Sequence, residues 1–398
     1  MKKMGNIPLF IPKNIDKYFY NRNKEMKKIN FYLNGLNEDI SQQLLITGYR
    51  GVGKTFLLHK IIKDINPNFL ITYIDISLIY SENDGTLNST LLLTEILSKI
   101  NQTLEEKDKS KFSKINNSVR NLITNIKLKK YDFNEITTIM DIPIPHYEDD
   151  YQKLSKFVMQ LPQRIVDNTE EVDGFIIIID EIQMLKQMKN SESFFWLLRS
   201  HSQFQSNVSY ILSGSTSRTS EIIEMINGDT GAFGGRMVQI NINPFTKEET
   251  LNYFKERMPE IQFTESGFER FYKCTKGIPA YINSFYNVLS SDILYNDEKI
   301  KNTFYTSIDQ ILVMWIKVWG TLNKYEKKII KTIMKNEQCT WNLIETKTGF
   351  STSTINKYLN SLQNKGIVSY KNKSYLLEDQ MIKSWLEHEK ENKGFYPE

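Results

Sequence analysis

Residues 48–55 constrain the fold of this chain more than any other stretch of its sequence. They read Gly-Tyr-Arg-Gly-Val-Gly-Lys-Thr, which is the pattern of a phosphate-binding loop. Residues 42–47 before the loop are typical of a buried strand, and residues 56–62 after it carry apolar side chains at helical spacing. Glycines at such a junction let backbone N–H groups and the positive end of a helix approach a phosphate closely. The stretch therefore predicts a nucleotide site between a strand and a helix.

The loop residues can be given separate chemical roles. Lys54 is expected to reach the β- and γ-phosphates, and the Thr55 hydroxyl is expected to ligate Mg²⁺. A chance glycine turn is the alternative, which the strand and the helix on either side disfavour. We expect ATP or ADP to contact the whole loop and the residue that follows it, namely Gly48, Tyr49, Arg50, Gly51, Val52, Gly53, Lys54, Thr55 and Phe56.

A second strong signal is the apolar run at residues 175–179, which ends in Asp180 and Glu181. A strand this apolar is buried on both faces of a parallel sheet. The carboxyl ends of such strands face the ligand crevice of the fold. Asp180 is therefore expected to complete the Mg²⁺ site, and Glu181 to orient and deprotonate an attacking water. The alternative is a pair of surface acids after a core strand.

Two later strands supply further candidates. Residues 208–216 end in hydroxyl side chains, and Ser213 or Ser215 is expected to contact the γ-phosphate or the water, with an ordinary Ser/Gly turn as the alternative. Arg236 follows a glycine-rich segment and precedes the next strand, at residues 237–242. Arg236 is a candidate to stabilise charge on a transferred phosphoryl group, in its own chain or in a neighbouring one. The alternative is a surface arginine on a loop.

Composition excludes several other classes of protein. The 398 residues contain two cysteines and four histidines, all widely separated, so neither a disulfide framework nor a zinc site is expected. No apolar run reaches the ~18 residues that a membrane span needs. The mean hydropathy is −0.43, and unpaired cysteines suit a reducing compartment. We therefore expect a cytoplasmic chain without a membrane partner.

Changes of pattern along the chain predict three domains. Residues 1–243 are expected to form a core in which strands of a parallel sheet alternate with helices. A polar insertion at about residues 105–173 interrupts this core, with helices near residues 110–127 and 150–168. Residues 244–305 show helical periodicity without strands, so we expect an all-helical lid. Its helices are predicted at residues 247–257, 265–275 and 280–290.

Residues 306–398 show the order of elements that is typical of a winged helix-turn-helix domain. Ser351 is expected to cap the third helix of this domain, which we call the recognition helix. A hairpin at residues 367–377 would form the wing. The three helices are predicted at residues 323–334, 340–347 and 352–365, and a closing helix at 379–390.

The charge of this third domain makes double-stranded DNA a candidate partner. It contains 14 lysines, no arginine and 10 acidic residues, so its net charge of +4 equals that of the whole chain. Without arginine to bind guanine through two hydrogen bonds, little sequence specificity is expected. The alternative is that the domain packs on the core or docks a protein partner. The residues expected to contact DNA are Asn356, Lys357, Lys371 and Lys373.

With these elements placed, the chain resembles the archaeal-type ATPases of the STAND branch of P-loop NTPases, which are relatives of the AAA+ proteins. The resemblance implies a parallel α/β core of the AAA+/STAND type, a helical lid and a winged helix. It also implies that Phe19 and Arg22 lie in a segment that closes over the adenine, for which an N-terminal cap helix is the alternative. The resemblance further implies that Pro279 in the lid touches the nucleotide. The stretches that carry the resemblance are residues 19–25, 48–55, 180–183, 213–215, 243–245, 277–279 and 375–386, together with Arg236.

These observations favour an ATP-dependent molecular switch. Binding of ATP and Mg²⁺ would change how the lid and the winged helix dock, and slow hydrolysis would reset the change. One alternative is a DNA-binding ATPase similar to the archaeal origin-recognition initiators. Another is a regulator that docks a protein partner and hydrolyses little ATP. The oligomeric state is open, and a nucleotide-dependent oligomer is among the candidates.

Overall fold

The computed structural model of the chain describes residues 8, 10–107, 138–139, 142–143, 151–336 and 338–397. The helix predicted near residues 110–127 lies outside these ranges. The second helix of the insertion is present as Tyr151–Asp167. The strands are β1 Leu44–Gly48, β2 Phe69–Asp75, β3 Thr138–Ile139, β4 Ile142–Pro143, β5 Gly174–Asp180, β6 Val208–Ser215, β7 Val238–Ile242, β8 Gln262–Phe263, β9 Leu294–Tyr295, β10 Val368–Lys371 and β11 Ser374–Leu377.

Five of these strands form the central sheet, in the order β2-β5-β6-β1-β7. Every neighbouring pair in it is parallel. Gly48 pairs with Ser215, and Asp75 pairs with Asp180, so the strands end level with one another. Because parallel strands present their carboxyl ends at one edge, the loop after β1 and the acids at the end of β5 meet there.

Helices cover both faces of this sheet, because its central strands are apolar on both sides. All seven residues of β5 are buried. One face packs against helices such as Ser89–Lys107 and Tyr151–Asp167, and the other against the N-terminal helix Asn23–Asn34 and the loop-following helix Lys54–Asp64. The remaining core helices are Ile15–Tyr18, Ile76–Glu82, Ser191–Ser202 and Thr216–Asn227, with short 3₁₀ segments at Gly35–Glu38 and Ile182–Gln187.

The lid consists mainly of the predicted helices. Lys247–Arg257 and Glu265–Thr275 have the predicted bounds. The third helix is Pro279–Tyr286, which ends before the predicted residue 290. The lid also contains a fourth helix, Asp297–Thr306, and the two-residue parallel pair of β8 and β9. Helical periodicity did not predict this pair, because a two-residue strand is too short to show alternation.

The C-terminal part has the elements of a winged helix. Its helices are Lys324–Met334, Trp341–Thr348 and the recognition helix Thr352–Asn364, followed by the antiparallel wing β10–β11 and the closing helix Gln380–Lys393. The Ser351 hydroxyl accepts a hydrogen bond from the Thr354 backbone N–H, so the predicted cap is confirmed. Ile308–Ile311 and Val313–Gly320 connect this part to the lid.

One continuous cluster of buried apolar side chains runs from Phe245 in the lid to Leu386 in the closing helix. This cluster crosses the predicted domain boundary between residues 305 and 306. The position of that boundary remains a prediction. Trp319 of the connecting helix packs edge-on against Trp385 of the closing helix, with ring centroids 5.8 Å apart. The lid and the winged helix therefore share one core.

Of the helices in the described ranges, none combines the length and the apolar composition that spanning a bilayer requires.

Candidate nucleotide-binding site

The phosphate-binding loop has the backbone conformation that its glycines allow. Gly51 and Gly53 have φ angles of 81° and 93°, in the region that L-amino acids avoid. Gly48 has no room for a side chain, because a Cβ there would lie 2.4 Å from the Ile242 carbonyl oxygen. Gly53 immediately precedes the helix Lys54–Asp64, so the positive end of this helix faces the loop.

Lys54 lies inside this loop. Its side chain is 7% exposed, and its ammonium donates hydrogen bonds to the carbonyl oxygens of Gly48 and Tyr49, both at 3.0 Å. It also donates to the Ser215 hydroxyl at 3.4 Å. The predicted lysine and the predicted serine therefore come together at the ends of β1 and β6.

Thr55 and Asp180, the two predicted Mg²⁺ ligands, are adjacent. The Thr55 hydroxyl donates to a carboxylate oxygen of Asp180 at 2.9 Å, and the Tyr73 hydroxyl donates to the same oxygen at 3.1 Å. Burial, together with the Asp180 carboxylate, raises the pKa of Tyr73 well above its ordinary value, so the phenol remains a donor. Hydroxyl and carboxylate oxygens are the donors that Mg²⁺ prefers, and the pair therefore fits this metal.

Glu181 occupies an unusual backbone position at the end of β5. Its φ of 57° lies in the left-handed region, which non-glycine residues adopt rarely and often at functional sites. Its side chain accepts a hydrogen bond from the amide of Gln183. The Gln183 side-chain oxygen in turn accepts a bond from the Ser215 backbone N–H at 3.4 Å. Gln183 is 3% exposed and therefore links Glu181 to the end of β6.

Sequence reasoning assigned no role to Gln183. Its only signal is its place two residues after Glu181, at the start of the 3₁₀ segment Ile182–Gln187. Of the two candidate serines, Ser215 lines the cavity described below and Ser213 does not. Ser213 is fully buried, and its hydroxyl has no hydrogen-bond partner among the described residues.

A cavity of about 660 Å³ opens beside the loop, between the N-terminal segment and the lid. Arg22 holds the N-terminal segment in place: its guanidinium donates to the Val52 carbonyl at 3.1 Å and lies over the ring of Phe245, 4.7 Å from the centroid. Phe19 stacks on Phe56 with ring centroids 6.1 Å apart. The predicted residues that line the cavity are Phe19, Arg22, Arg50, Gly51, Val52, Gly53, Lys54, Thr55, Phe56, Glu181, Ser215 and Pro279.

The lid contacts the phosphate-binding loop directly through its Gly-Ile-Pro turn. The Ala280 N–H, next to Pro279, donates to the Gly51 carbonyl at 3.1 Å. Gly277 accepts a hydrogen bond from Phe245 at 2.8 Å, and a Cβ at this glycine would lie 1.8 Å from the Phe245 carbonyl oxygen. The turn therefore requires glycine, and it fixes Pro279 at the cavity wall.

Two of the predicted arginines, Arg50 and Arg236, are placed differently relative to the cavity. Arg50 lies in the cavity wall, where burial lowers the pKa of its guanidinium and the Glu181 carboxylate opposes that shift. Arg236 is exposed and is not among the residues that line the cavity. This position does not support a contact between Arg236 and the nucleotide of its own chain. A contact with the nucleotide of a neighbouring chain remains a prediction.

The geometry predicts a measurable role for Gln183 in any ATP hydrolysis at this site. Replacing Gln183 with Ala removes the amide that holds Glu181, and a misplaced catalytic group typically costs one to two orders of magnitude in rate. We expect kcat for ATP to fall about 10-fold with KM nearly unchanged, measured by steady-state phosphate release. Gln187→Ala is the matched control, because Gln187 lies in the same 3₁₀ segment and is exposed. A rise in KM alone would point to nucleotide binding instead and contradict this role.

Comparisons with known proteins agree with this architecture. A family model described as winged helix-turn-helix DNA-binding matches residues 322–369. The Walker-type ATPase of Pyrococcus abyssi is similar in fold, with a TM-score of 0.61 at 18% identity over 94% of this chain and 97% of that one. The expected fold, a P-loop sheet core with a lid and a winged helix, is confirmed.

Two other solved structures are more distant. The ORC1 protein of Aeropyrum pernix, solved in complex with DNA, aligns with a TM-score of 0.49 at 11% identity over 97% of this chain and 96% of that one. A STAND protein with a tetratricopeptide repeat sensor from Pyrococcus horikoshii gives 0.36 at 16% identity, over 92% of this chain and 42% of that one. At TM-scores below 0.5, neither likeness carries an inference about this chain.

No curated protein sequence matches the chain. A family model described as an ATPase domain predominantly from Archaea does match, and it covers residues 19–285, from the segment beside the cavity to the third helix of the lid. This match spans more than half of the sequence and includes every residue of the loop, of the Asp180-Glu181 pair and of the Gly-Ile-Pro turn. The chain therefore belongs to the ATPase domain family found predominantly in Archaea.

Proposed function

We propose that this protein is a nucleotide-dependent switch that binds ATP with Mg²⁺, hydrolyses it slowly, and changes the placement of its winged helix in response. The observation that carries the proposal is a hydrogen-bond network, built from two buried aromatic residues and a half-buried carboxylate, that joins the nucleotide side of the lid to the first turn of the closing helix. Membership of the ATPase domain family supports nucleotide binding.

The site residues have the chemistry that hydrolysis needs. Lys54 and Arg50 place positive charge where the β- and γ-phosphates would lie, and this charge would stabilise a phosphoryl group in transfer. Thr55 and Asp180 would hold Mg²⁺, which supplies further positive charge to the phosphate oxygens. Glu181 would orient the attacking water and accept its proton. We propose Ser215, rather than Ser213, as the hydroxyl of β6 that contacts the γ-phosphate, because Ser215 lies within reach of Lys54.

The network that supports the switch is formed by Tyr281, Trp315 and Asp379. Tyr281 follows Ala280, the residue whose N–H binds Gly51 in the phosphate-binding loop. The hydroxyl of Tyr281 donates to the Asp379 carboxylate, and the indole N–H of Trp315 donates to the same carboxylate oxygen at 3.0 Å. Asp379 also caps the closing helix, because its carboxylate accepts from the Met381 backbone N–H at 2.9 Å.

This arrangement supports a mechanical link between the lid and the closing helix. Tyr281 is 1% exposed, and burial together with the Asp379 carboxylate raises the pKa of Tyr281 well above its ordinary value, so its hydroxyl stays protonated. Asp379 is half-buried, and a carboxylate that loses its donors in such a place is left unsatisfied at a cost in free energy, so the three groups are expected to move together. A shift of the phosphate-binding loop would then reach the closing helix by way of Tyr281.

Removing the Tyr281 hydroxyl should leave nucleotide binding intact but abolish the nucleotide-dependent change at the closing helix. We expect Tyr281→Phe to bind ATP within about threefold of wild type, because the ring still fills its site. The difference between the ADP- and ATP-bound states in hydrogen exchange over residues 380–393 should be lost. Tyr286→Phe is the matched control: it lies in the same helix, and its hydroxyl donates to Glu260 at 2.5 Å. A nucleotide response that survives unchanged in Tyr281→Phe would exclude this route.

DNA binding by the winged helix is a second candidate function, supported by the family match over residues 322–369. Lys357, Lys373 and Asn356 are exposed, and the Asn356 side chain accepts a hydrogen bond from the Trp341 indole at 2.8 Å. The side chain of Lys371 lies outside the described part of the structure. The recognition helix also lies against the core helix Thr216–Asn227, which favours docking on the core over entry into a DNA groove.

The formation of a nucleotide-dependent oligomer remains a prediction.

A further inference from the structure

The carboxylate of Asp180 is held by three hydrogen-bond donors. Asp180 is 1% exposed. One of its oxygens accepts from the Glu181 backbone N–H at 2.9 Å. The other accepts from the Thr55 hydroxyl at 2.9 Å and from the Tyr73 hydroxyl at 3.1 Å. Because both oxygens have donors, a rotation of the carboxylate about its Cβ–Cγ bond would break at least one of these hydrogen bonds.

Tyr73 differs from the other two donors in its position. The Glu181 N–H belongs to the next peptide unit along the chain, and the Thr55 hydroxyl belongs to a predicted metal ligand. Tyr73 comes from the neighbouring strand β2, where it pairs in register with Ile178, two residues before the level of Asp180. It is also not among the described residues that line the cavity. Tyr73 is therefore the one side chain of the three that is expected to touch neither the metal nor the nucleotide.

The ring of Tyr73 is fixed from a second side by the helix Lys54–Asp64. His59 of that helix packs against the ring, with ring centroids 5.0 Å apart. His59 lies four residues after Thr55, so the two side chains are on the same side of the helix. Tyr73 also packs against the apolar cluster on that face of the sheet. These contacts give the Tyr73 hydroxyl a defined position beside Asp180.

A second acid at this edge of the sheet has a different partner. Asp75 ends β2 and pairs in register with Asp180. Its carboxylate accepts from the Ser77 backbone N–H at 2.8 Å and from the Ser77 hydroxyl at 2.6 Å, and it caps the helix Ile76–Glu82. The hydrogen bond of the Tyr73 hydroxyl goes instead to Asp180, the acid beside Thr55.

Groups that hydrogen-bond to a metal ligand without touching the metal fix the orientation of that ligand, and their loss typically lowers metal affinity roughly 10–100-fold. Mg²⁺ is sensitive to such a loss, because it demands nearly octahedral geometry. We propose that Tyr73 is a positioning residue of the metal site, which acts through Asp180 and raises the affinity of the nucleotide-bound protein for a divalent cation. The inference rests on the proposed function, in which Thr55 and Asp180 hold Mg²⁺ beside the nucleotide.

Tyr73→Phe tests the proposal, because it removes the hydroxyl and keeps the ring that packs against His59. Mn²⁺ is the probe, since it takes the same kinds of oxygen ligand as Mg²⁺ and its EPR signal reports the free ion. In the full-length protein saturated with ADP, we expect Tyr73→Phe to bind Mn²⁺ about 10-fold more weakly than wild type. Its affinity for a fluorescent ADP analogue in EDTA should equal that of wild type, because Tyr73 is not expected to touch the nucleotide.

Two further variants provide the comparison. Tyr80→Phe is the matched control, because Tyr80 is the next tyrosine along the chain and packs against the cluster on the opposite face of the sheet. It should bind Mn²⁺ as wild type does. Asp180→Asn changes the predicted ligand itself and should weaken Mn²⁺ binding at least as much as Tyr73→Phe. A cooperative thermal unfolding transition of each variant in EDTA serves as the folding control.

Three outcomes would overturn the proposal, and they have different meanings. Wild-type Mn²⁺ affinity in Tyr73→Phe, with a loss in Asp180→Asn, would remove the positioning role and leave the metal site in place. Equal losses of Mn²⁺ affinity and of metal-free ADP affinity in Tyr73→Phe would show that Tyr73 supports the fold of the whole site. Wild type that binds ADP without taking up Mn²⁺ would remove the metal from the proposed function, and the inference with it.

Discussion

Lys54→Ala is expected to weaken ATP binding roughly 100-fold. The Lys54 ammonium is buried beside the loop carbonyls of Gly48 and Tyr49, where a bound nucleotide would place its phosphates. Losing a buried, hydrogen-bonded charge from such a pair costs about 3 kcal/mol, which corresponds to roughly 100-fold in Kd. Titration with a fluorescent ATP analogue measures the effect directly.

Lys63→Ala provides the control for this change. Lys63 lies in the same helix, but its side chain is about half exposed and pairs with Asp16 on the surface. Surface ion pairs contribute little, so this variant should bind the analogue as wild type does. Wild-type affinity in Lys54→Ala would place the nucleotide in another part of the molecule and remove the basis of the proposed switch.

Glu181→Gln is expected to keep ATP bound and to slow its hydrolysis at least ~100-fold, the usual scale for a positioned general base. Glutamine has the shape of glutamate and can still accept the hydrogen bond from the Gln183 amide, so the left-handed turn at this residue should persist. The glutamine side chain cannot, however, accept a proton from water. Phosphate release at saturating ATP measures the rate, with nucleotide affinity measured in parallel.

An exposed glutamate serves as the comparison for Glu181. Glu192 lies in the helix Ser191–Ser202, where its carboxylate accepts from the Trp196 indole at 3.5 Å on the surface. Glu192→Gln should hydrolyse ATP at the wild-type rate. Equal turnover in Glu181→Gln and wild type would show that Glu181 is not the base, and would favour a protein that binds ATP with negligible hydrolysis.

The elements that sequence predicted well are those whose cause is local. The apolar run of β5, the glycines of the phosphate-binding loop and the Ser351 cap each depend on residues within a few positions of one another. Their chemistry is therefore visible in the sequence itself. The placement of Thr55 beside Asp180 was also predictable, because parallel strands bring their carboxyl ends to one edge of the sheet.

The elements that sequence did not predict depend on pairings between distant residues. Tyr281 and Asp379 are 98 positions apart, and no local pattern joins a tyrosine after a Gly-Ile-Pro turn to the cap of a closing helix. Gln183 gains its role only because the end of β6 lies beside it. Arg236 was a candidate to contact the phosphoryl group because a glycine-rich segment precedes it. Glycines near an arginine do not determine where its side chain lies.

The single core shared by the lid and the winged helix limits how this protein can be dissected. Apolar side chains on both sides of residue 305 pack into one cluster, from Phe245 to Leu386. A chain cut at that point would expose the inner faces of the lid helices to water, at about 25 cal/mol for each Å² of apolar surface. The two parts are thus expected to unfold as one cooperative unit, so a truncation would report on misfolding and not on the role of the winged helix. Their functions can be separated only by single side-chain changes within the intact chain.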